Sequence, residues 1–224
     1  MDEQLISTPV GQARLSWYRA TGPTRAVAVL GHGSATGIES ADLQAIAAVL
    51  PPRRIDVALV TQPYRLSGGR HGRDETSLDA AWRHVWPHVA SSMLPVIAGG
   101  RSAGSQVACR TAKSLGARAV LALSYPLLGP GSPHELLATG LPMLIVQGGA
   151  DPYGRPGEFP PLPPATELVE VPFANHTFGV PSSHARDSAP LATITGAVAS
   201  WLDDLLADHA GTTEGPEENP ATAG

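Results

Sequence analysis

The chain has 224 residues, of which 42% are hydrophobic and 16% charged, and this composition is typical of a globular domain rather than a disordered chain. Its net charge of −5 argues against nucleic acid and anionic membranes as partners. The single cysteine, Cys109, excludes an internal disulfide bond and fits a reducing compartment.

Segments with strand-like and helix-like patterns alternate along the sequence. The predicted elements are an edge strand at 13–18, a strand at 26–30, a helix at 41–50, a strand at 55–60, a helix at 75–86, a strand at 94–98, a helix at 106–115, strands at 118–124, 142–147 and 168–171, and a helix at 190–206. Apolar strands separated by helices predict an α/β fold with a mostly parallel sheet covered by helices on both faces.

The two ends of the sequence bear on localisation and domain bounds rather than on catalysis. The N-terminal residues 1–4 lack the basic start and apolar core of a signal peptide, and no apolar run approaches the ~20 residues that a membrane span needs. We therefore expect a cytoplasmic protein with a single domain over residues 1–209. Residues 210–224 are rich in Gly, Pro, Thr and Glu and predict a disordered acidic tail.

A Gly-x-Ser-x-Gly motif, formed by Gly100, Ser102 and Gly104, lies between a predicted strand and a predicted helix. This context is typical of a nucleophile elbow, a strained turn that lifts the serine oxygen above the edge of the sheet. The glycines let strand and helix approach each other closely. In a chain with 24 glycines the alternative is a chance match in a loop, and the flanking elements favour the elbow.

Polar residues after the carboxyl ends of parallel strands converge on one edge of the sheet. A serine nucleophile needs a base and a group that orients the base, and the chain order Ser–Asp–His supplies them as Ser102, Asp151 and His176. Asp151 could instead be a turn residue before Pro152, and Glu170 is a rival that lies inside a strand. Among the eight histidines, only His176 combines this order with a position after the final strand.

The oxyanion of an acyl-transfer reaction needs backbone donors. The residue after the nucleophile, Ala103, supplies one N–H, and Ser34 or Gly33 in the glycine turn after strand 26–30 supplies the other. No metal or organic cofactor is expected. His84 and His88 have the spacing of metal ligands on a helix, but Pro87 lies between them and a solvated face is favoured.

The expected substrate is a small molecule that carries an ester or thioester. Only residues 126–141 separate the strand at 118–124 from the next, which is too short for a large cap domain, so we expect an open, shallow site. The predicted wall residues are His32, Tyr125, Leu127, Leu128, Tyr153 and Phe178. The number of subunits stays open.

A basic cluster follows strand 55–60. It consists of Arg65, Arg70, His71 and Arg73, and Arg101 adds a cation beside the nucleophile. These cations predict either capture of an anionic group on the substrate or a solvated loop, with Arg101 held in a structural ion pair. The sequence leaves both interpretations open.

Four ordered motifs resemble those of the α/β-hydrolase superfamily, in its dienelactone-hydrolase-like branch. They are Gly100–Ser105, Leu123–Leu127, Gly148–Asp151 and Ala174–His176. The closer resemblance is to a family that includes a subunit of the animal non-specific-lethal chromatin complex and a related testis-expressed protein. It covers residues 27–201 and implies an α/β-hydrolase fold, to which the short segment 126–141 adds no large cap domain.

The resemblance also implies that Ser102 is the nucleophile, His176 the base and Asp151 the group that orients it. Dienelactone hydrolases have cysteine where this chain has Ser102, so lactone specificity does not carry over. The chromatin-associated relatives act at least partly as scaffolds, so the alternative to a serine hydrolase is a catalytically idle binding domain.

Overall fold

Apolar runs of the sequence form the central strands of one eight-stranded sheet. The computed structural model of the protein describes residues 2–69, 74–90, 93–128, 133–186 and 188–211. The strands are β1 (Asp2–Thr8), β2 (Gly11–Tyr18), β3 (Ala26–Gly31), β4 (Ile55–Thr61), β5 (Val96–Arg101), β6 (Ala119–Leu123), β7 (Met143–Gly148) and β8 (Thr166–Val171). The helices are α1 (Ala41–Val49), α2 (Pro63–Leu66), α3 (Glu75–Val85), α4 (Ala103–Thr111), α5 (Pro133–Leu137) and α6 (Pro190–Gly211).

The strand order β1-β2-β4-β3-β5-β6-β7-β8 confirms the predicted mostly parallel sheet. All strand pairs from β4 to β8 are parallel, whereas β1–β2 and β2–β4 are antiparallel. The strands from β3 to β7 are buried along their whole length, as expected for a sheet covered on both faces. The parallel arrangement brings the carboxyl ends of β3, β5, β7 and β8 to one edge.

Two helical layers cover the sheet. On one face α3 and α4 contribute Trp82 and Val107 to the core, and on the other α1 and α6 contribute Ile46 and Leu202. Burial of these apolar side chains on both sides fixes the sheet as a rigid support for the loops at its edge. Among the helices of the described residues, none combines the length and the apolar character that crossing a bilayer requires.

The structure corrects several predicted element boundaries. The strand predicted at the sheet edge, 13–18, is the second strand, because β1 pairs with it along seven residue pairs. Most β1 residues are exposed and Ile6 is its buried residue, so β1 lacks the apolar run that marks the other strands. Helix α4 begins at residue 103 rather than 106, directly after the candidate nucleophile.

The predicted boundaries of the domain and its tail are only partly covered by the structure. Helix α6 continues through Gly211, two residues past the predicted domain end at 209. Residues 212–224, which make up the rest of the predicted tail, lie outside the described residues. Within the described part of 126–141 the structure has the short helix α5, which agrees with the absence of a large cap domain.

Backbone contact between β3, β5 and α4 sets the position of the candidate nucleophile. A β-carbon at Gly100 would lie 2.5 Å from the carbonyl oxygen of Gly31, and a β-carbon at Gly104 would collide with the same oxygen. The two glycines of the Gly-x-Ser-x-Gly motif are therefore required by close packing. They allow the start of α4 to rest directly on the end of β3.

We predict that Gly104→Ala lowers the free energy of unfolding by about 2 kcal/mol, because the added methyl group overpacks a backbone contact that cannot relax. Gly196→Ala is the matched control, since Gly196 is exposed in the middle of α6 with open space around it. This control should raise the free energy of unfolding by about 0.5 to 1 kcal/mol. Urea unfolding measures both changes, and equal stability of the two variants would contradict the packing argument.

Candidate active site

Ser102 occupies a strained turn between β5 and α4. Its backbone dihedrals are φ 51° and ψ −117°, a conformation that residues other than glycine rarely adopt. The Ser102 N–H donates to the carbonyl oxygen of Leu123 at 2.9 Å, which ties the turn to the end of the neighbouring strand β6. Such strain persists only where the surrounding structure enforces it, and it is concentrated at functional sites.

A chain of hydrogen bonds joins Ser102, His176 and Asp151. The distance from His176 Nε2 to Ser102 Oγ is 2.9 Å, and the distance from His176 Nδ1 to Asp151 Oδ2 is 2.8 Å. An ionised carboxylate only accepts hydrogen bonds, so Nδ1–H donates to Asp151 and Nε2 is left to accept from the serine hydroxyl. The structure therefore brings together the three residues singled out by chain order.

Gln147, at the end of β7, holds the carboxylate in place. Its Nε2 donates to Asp151 Oδ2 at 2.9 Å, while its Oε1 accepts from the N–H of Tyr125 at 2.8 Å. The other carboxylate oxygen, Oδ1, accepts from the N–H of Tyr153 at 2.8 Å. Asp151 is 1% exposed, so these donors replace the water that a buried carboxylate loses. The sequence analysis missed Gln147, although an amide that ends an apolar strand was a usable signal.

Asn175 shapes the loop that carries the imidazole. Its Oδ1 accepts from the N–H of Thr177 at 2.9 Å and from the N–H of Gly179 at 3.0 Å. The Asn175 side chain thus closes the turn around His176 and fixes the backbone position from which the imidazole extends. Asn175 also escaped the sequence analysis as a functional residue, because its partners are the backbone of its own loop.

Arg101 connects three parts of the site. It is 3% exposed, its Nη2 donates to the carbonyl oxygen of His176 at 2.8 Å, and its Nη1 donates to Thr36 Oγ1 at 2.9 Å. Its Nε lies 3.2 Å from Oδ2 of the equally buried Asp42 on α1, which forms an ion pair. Of the two interpretations left open for Arg101, the structure favours the structural ion pair.

Arg65, the described member of the basic cluster after β4, does not reach the site. Arg65 pairs with Glu39 at 2.8 Å, both side chains are exposed, and Arg65 does not line the candidate cavity. Arg70, His71 and Arg73 lie outside the described residues. The prediction that Arg65 contributes to the pocket is therefore wrong, because its guanidinium turns along the surface toward Glu39.

The loop after β3 presents a backbone N–H to the site. His32 Nδ1 lies 2.8 Å from the carbonyl oxygen of Gly33, and the Tyr64 hydroxyl donates to the same oxygen at 3.4 Å. In a trans peptide the N–H points opposite to the carbonyl, so the N–H of Ser34 is directed away from His32 and Tyr64. This orientation favours Ser34 over Gly33 as the second oxyanion donor.

His32 lies behind this loop and does not line the cavity, contrary to its predicted place in the wall. Its Nε2 accepts from the N–H of Gln62 at 3.1 Å, and its Nδ1–H donates to the Gly33 carbonyl, so both ring nitrogens are used by a neutral imidazole. Burial lowers the pKa of His32, which agrees with this neutral form. The ring therefore shapes the loop rather than touching a substrate.

Ser102 and His176 face a cavity of about 250 Å³. This volume lies just below the range of about 300 to 1,000 Å³ that is usual for ligand pockets. The sequence-predicted residues that line it are Gly33, Ser34, Arg101, Ser102, Ala103, Tyr153 and His176. Both candidate oxyanion donors, Ala103 and Ser34, thus border the same space as the serine hydroxyl.

Four other predicted wall residues lie elsewhere. Tyr125 and Leu127 are buried in the core beneath α3 and α4, and Phe178 is buried in the opposite core beneath α6. Leu128 is exposed but does not line the cavity. Tyr125, Leu127 and Phe178 point into the core next to main-chain turns at positive φ, at Ser124 (45°) and at Phe178 itself (57°), so their predicted place in the wall is wrong.

Residues 24–202 match the family model described as "Alpha/beta hydrolase domain". The chain belongs to the α/β-hydrolase family. No curated protein matches it in sequence. The fold is that of the α/β-hydrolases, with a mostly parallel eight-stranded sheet between helical layers.

Solved structures show the same fold along nearly the whole of this α/β-hydrolase. A lidless α/β serine hydrolase from Xanthomonas campestris has a TM-score of 0.72 at 17% identity, covering 91% of this chain and 94% of that chain. A dienelactone hydrolase from Anabaena variabilis has a TM-score of 0.70 at 19% identity, covering 91% and 97%. Est1E from Butyrivibrio proteoclasticus, solved with ferulic acid bound, has a TM-score of 0.72 at 14% identity, covering 91% and 99%.

We predict that Asp42→Asn lowers the free energy of unfolding by about 3 kcal/mol, because it leaves the buried Arg101 guanidinium without its counter-ion. Glu39→Gln is the matched control, since it removes an acid from the solvated pair with Arg65 and should cost less than about 1 kcal/mol. Urea unfolding of both variants measures the difference. An equal loss of unfolding free energy in the control would show that the buried ion pair stabilises the fold no more than the solvated pair does.

Proposed function

We propose that this α/β-hydrolase is a serine hydrolase that cleaves small or soluble esters or thioesters. The observation that carries the proposal is the hydrogen-bonded chain from Ser102 Oγ through His176 to the buried Asp151, with distances of 2.9 and 2.8 Å. The strained backbone of Ser102 supports it further, because a binding domain has no physical need to retain a strained turn beside paired oxyanion donors.

In the first step Ser102 Oγ attacks the carbonyl carbon of the ester while His176 Nε2 takes the hydroxyl proton. Asp151 stabilises the imidazolium through Nδ1–H, and Gln147 keeps the carboxylate oriented. The N–H groups of Ala103 and Ser34 receive the negative charge that develops on the carbonyl oxygen. Protonation of the leaving group by His176 then breaks the ester bond and leaves an acyl group on Ser102.

In the second step a water molecule releases the acyl group. His176 Nε2 takes a proton from the water as it attacks the acyl carbon, and then returns a proton to Ser102 Oγ. Neither step requires a metal ion or an organic cofactor. An ester and a thioester differ here only in the atom that leaves, so the same residues serve both substrates.

The test of this proposal is labelling by a fluorophosphonate probe, which reacts only with an activated serine. We expect the wild-type protein to be labelled and Ser102→Ala to be unlabelled, because the probe phosphorus bonds to Ser102 Oγ. Ser105→Ala is the matched control, since the buried Ser105 hydroxyl donates to the Ser102 carbonyl oxygen and lies outside the hydrogen-bonded chain.

A folded wild-type protein that the probe does not label would overturn the proposal. That outcome would favour the alternative, a catalytically idle domain used for binding or assembly. The closer resemblance to the family of the chromatin-complex subunit, in which scaffold roles occur, stays a prediction, and this result would give it weight.

We also predict a preference for short acyl chains, because the cavity is small and α5 is the one helix among the described residues between β6 and β7. The value of kcat/KM for p-nitrophenyl acetate or butyrate should exceed that for the dodecanoate by about tenfold or more. Steady-state hydrolysis below the solubility limit of each ester measures the ratio. Faster turnover of the long-chain ester would contradict a small acyl site.

A further inference from the structure

The cavity beside Ser102 has two chemically different sides. The loop after β3 and the guanidinium of Arg101 form a polar side, held together by the bond from Arg101 to Thr36. Pro126 and Tyr153 also line the cavity and contribute an apolar surface, here named the aromatic shelf. The N–H of Leu128 donates to the Tyr153 carbonyl oxygen at 2.7 Å, which ties Tyr153 to the loop after β6.

The ring of Tyr153 is held next to the catalytic imidazole. The two ring centroids lie 4.6 Å apart with an interplanar angle of 61°, an edge-to-face arrangement. The Tyr153 N–H is bonded to Asp151 Oδ1, so its backbone is fixed relative to the triad. Because Tyr153 is nevertheless 46% exposed, much of its ring remains available for contact with a bound molecule.

The chemistry of the proposed reaction determines which part of the substrate lies next to the Tyr153 ring. The carbonyl oxygen must face the N–H groups of Ser34 and Ala103 on the polar side. The leaving oxygen must lie at His176 Nε2, because the imidazolium gives it a proton as the electron pair of the breaking C–O bond moves onto that oxygen. The carbon skeleton of the departing alcohol therefore lies against the residues that surround His176 on the open side.

We infer that the aromatic shelf binds the alcohol part of the substrate and favours a planar aromatic alcohol over a saturated one of the same size. This inference rests on the proposed serine hydrolase activity and adds the class of leaving group. A flat ring can pack against Tyr153 while its edge passes Pro126, whereas a puckered ring loses the aromatic pair. The shelf thus makes Tyr153 a residue that determines specificity.

The test compares benzyl acetate with cyclohexylmethyl acetate in the wild type and in two variants. Both esters form the same acetyl-enzyme and release alcohols of similar size, so the ratio of their kcat/KM values isolates recognition of the ring. We expect the wild type to prefer the benzyl ester about fivefold. Tyr153→Leu should bring the ratio close to one, and Tyr153→Phe should retain the preference because it keeps the ring.

Phe173→Leu is the control for the loss of an aromatic ring outside the cavity. Phe173 is 41% exposed, lies in the loop of His176, and stacks on His184 with a centroid distance of 4.0 Å. Its removal should leave the wild-type ratio unchanged. Fluorophosphonate labelling of each variant shows that its triad is intact, so a changed ratio does not come from misfolding.

A wild-type ratio near one, or an unchanged ratio in Tyr153→Leu, would overturn the inference. Failure to hydrolyse either ester by protein whose Ser102 is labelled would also overturn it, while leaving the serine hydrolase proposal intact. Absence of labelling at Ser102 would instead overturn the proposed function itself.

Discussion

Direct contact between backbones at the ends of β3 and β5 and the start of α4 is the constraint on which the site depends. The carbonyl oxygen of Gly31 occupies the space that a side chain at Gly100 or Gly104 would need. Helix α4 can therefore start immediately after the strand, and Ser102 is left in a conformation that its own side chain disfavours. Burial of the central strands on both faces of the sheet supplies the stability that offsets this strain. Loops alone would not hold such a turn.

Polar side chains hold Asp151 and His176, the other two residues of the proposed triad, in position. Gln147 fixes the carboxylate, Asn175 fixes the turn around the imidazole, and Arg101 joins that turn to α1 through Asp42. Gln147, Arg101 and Asp42 are buried, so their hydrogen bonds and ion pair replace the water that folding removed, and loss of one partner leaves the other without a counterpart. Backbone packing thus sets the position of Ser102, and a polar network sets the positions of Asp151 and His176.

Chain order and strand ends were sufficient to predict the parallel core and the Ser102, Asp151 and His176 arrangement, because buried strands are apolar and their carboxyl ends share one edge. Strand β1 escaped prediction since its outer positions face water and carry polar residues. The supporting residue Asp42 escaped because its partner is distant in sequence. The wall residues Tyr125 and Phe178 were misplaced because side-chain direction after a strand depends on local main-chain turns at positive φ, which residue type does not reveal.

The buried imidazole of His32 makes the loop after β3 sensitive to acid. A proton on Nε2 would take away the acceptor of the Gln62 N–H and place a charge where burial disfavours it. Because burial lowers the pKa of His32, the unfolded chain takes up this proton at a higher pH than the folded chain does. The stabilisation from the neutral ring is complete above about pH 6.5 and declines as the pH falls below that value. Acidification would therefore loosen the loop that carries the Ser34 N–H through a buried group that does not line the cavity.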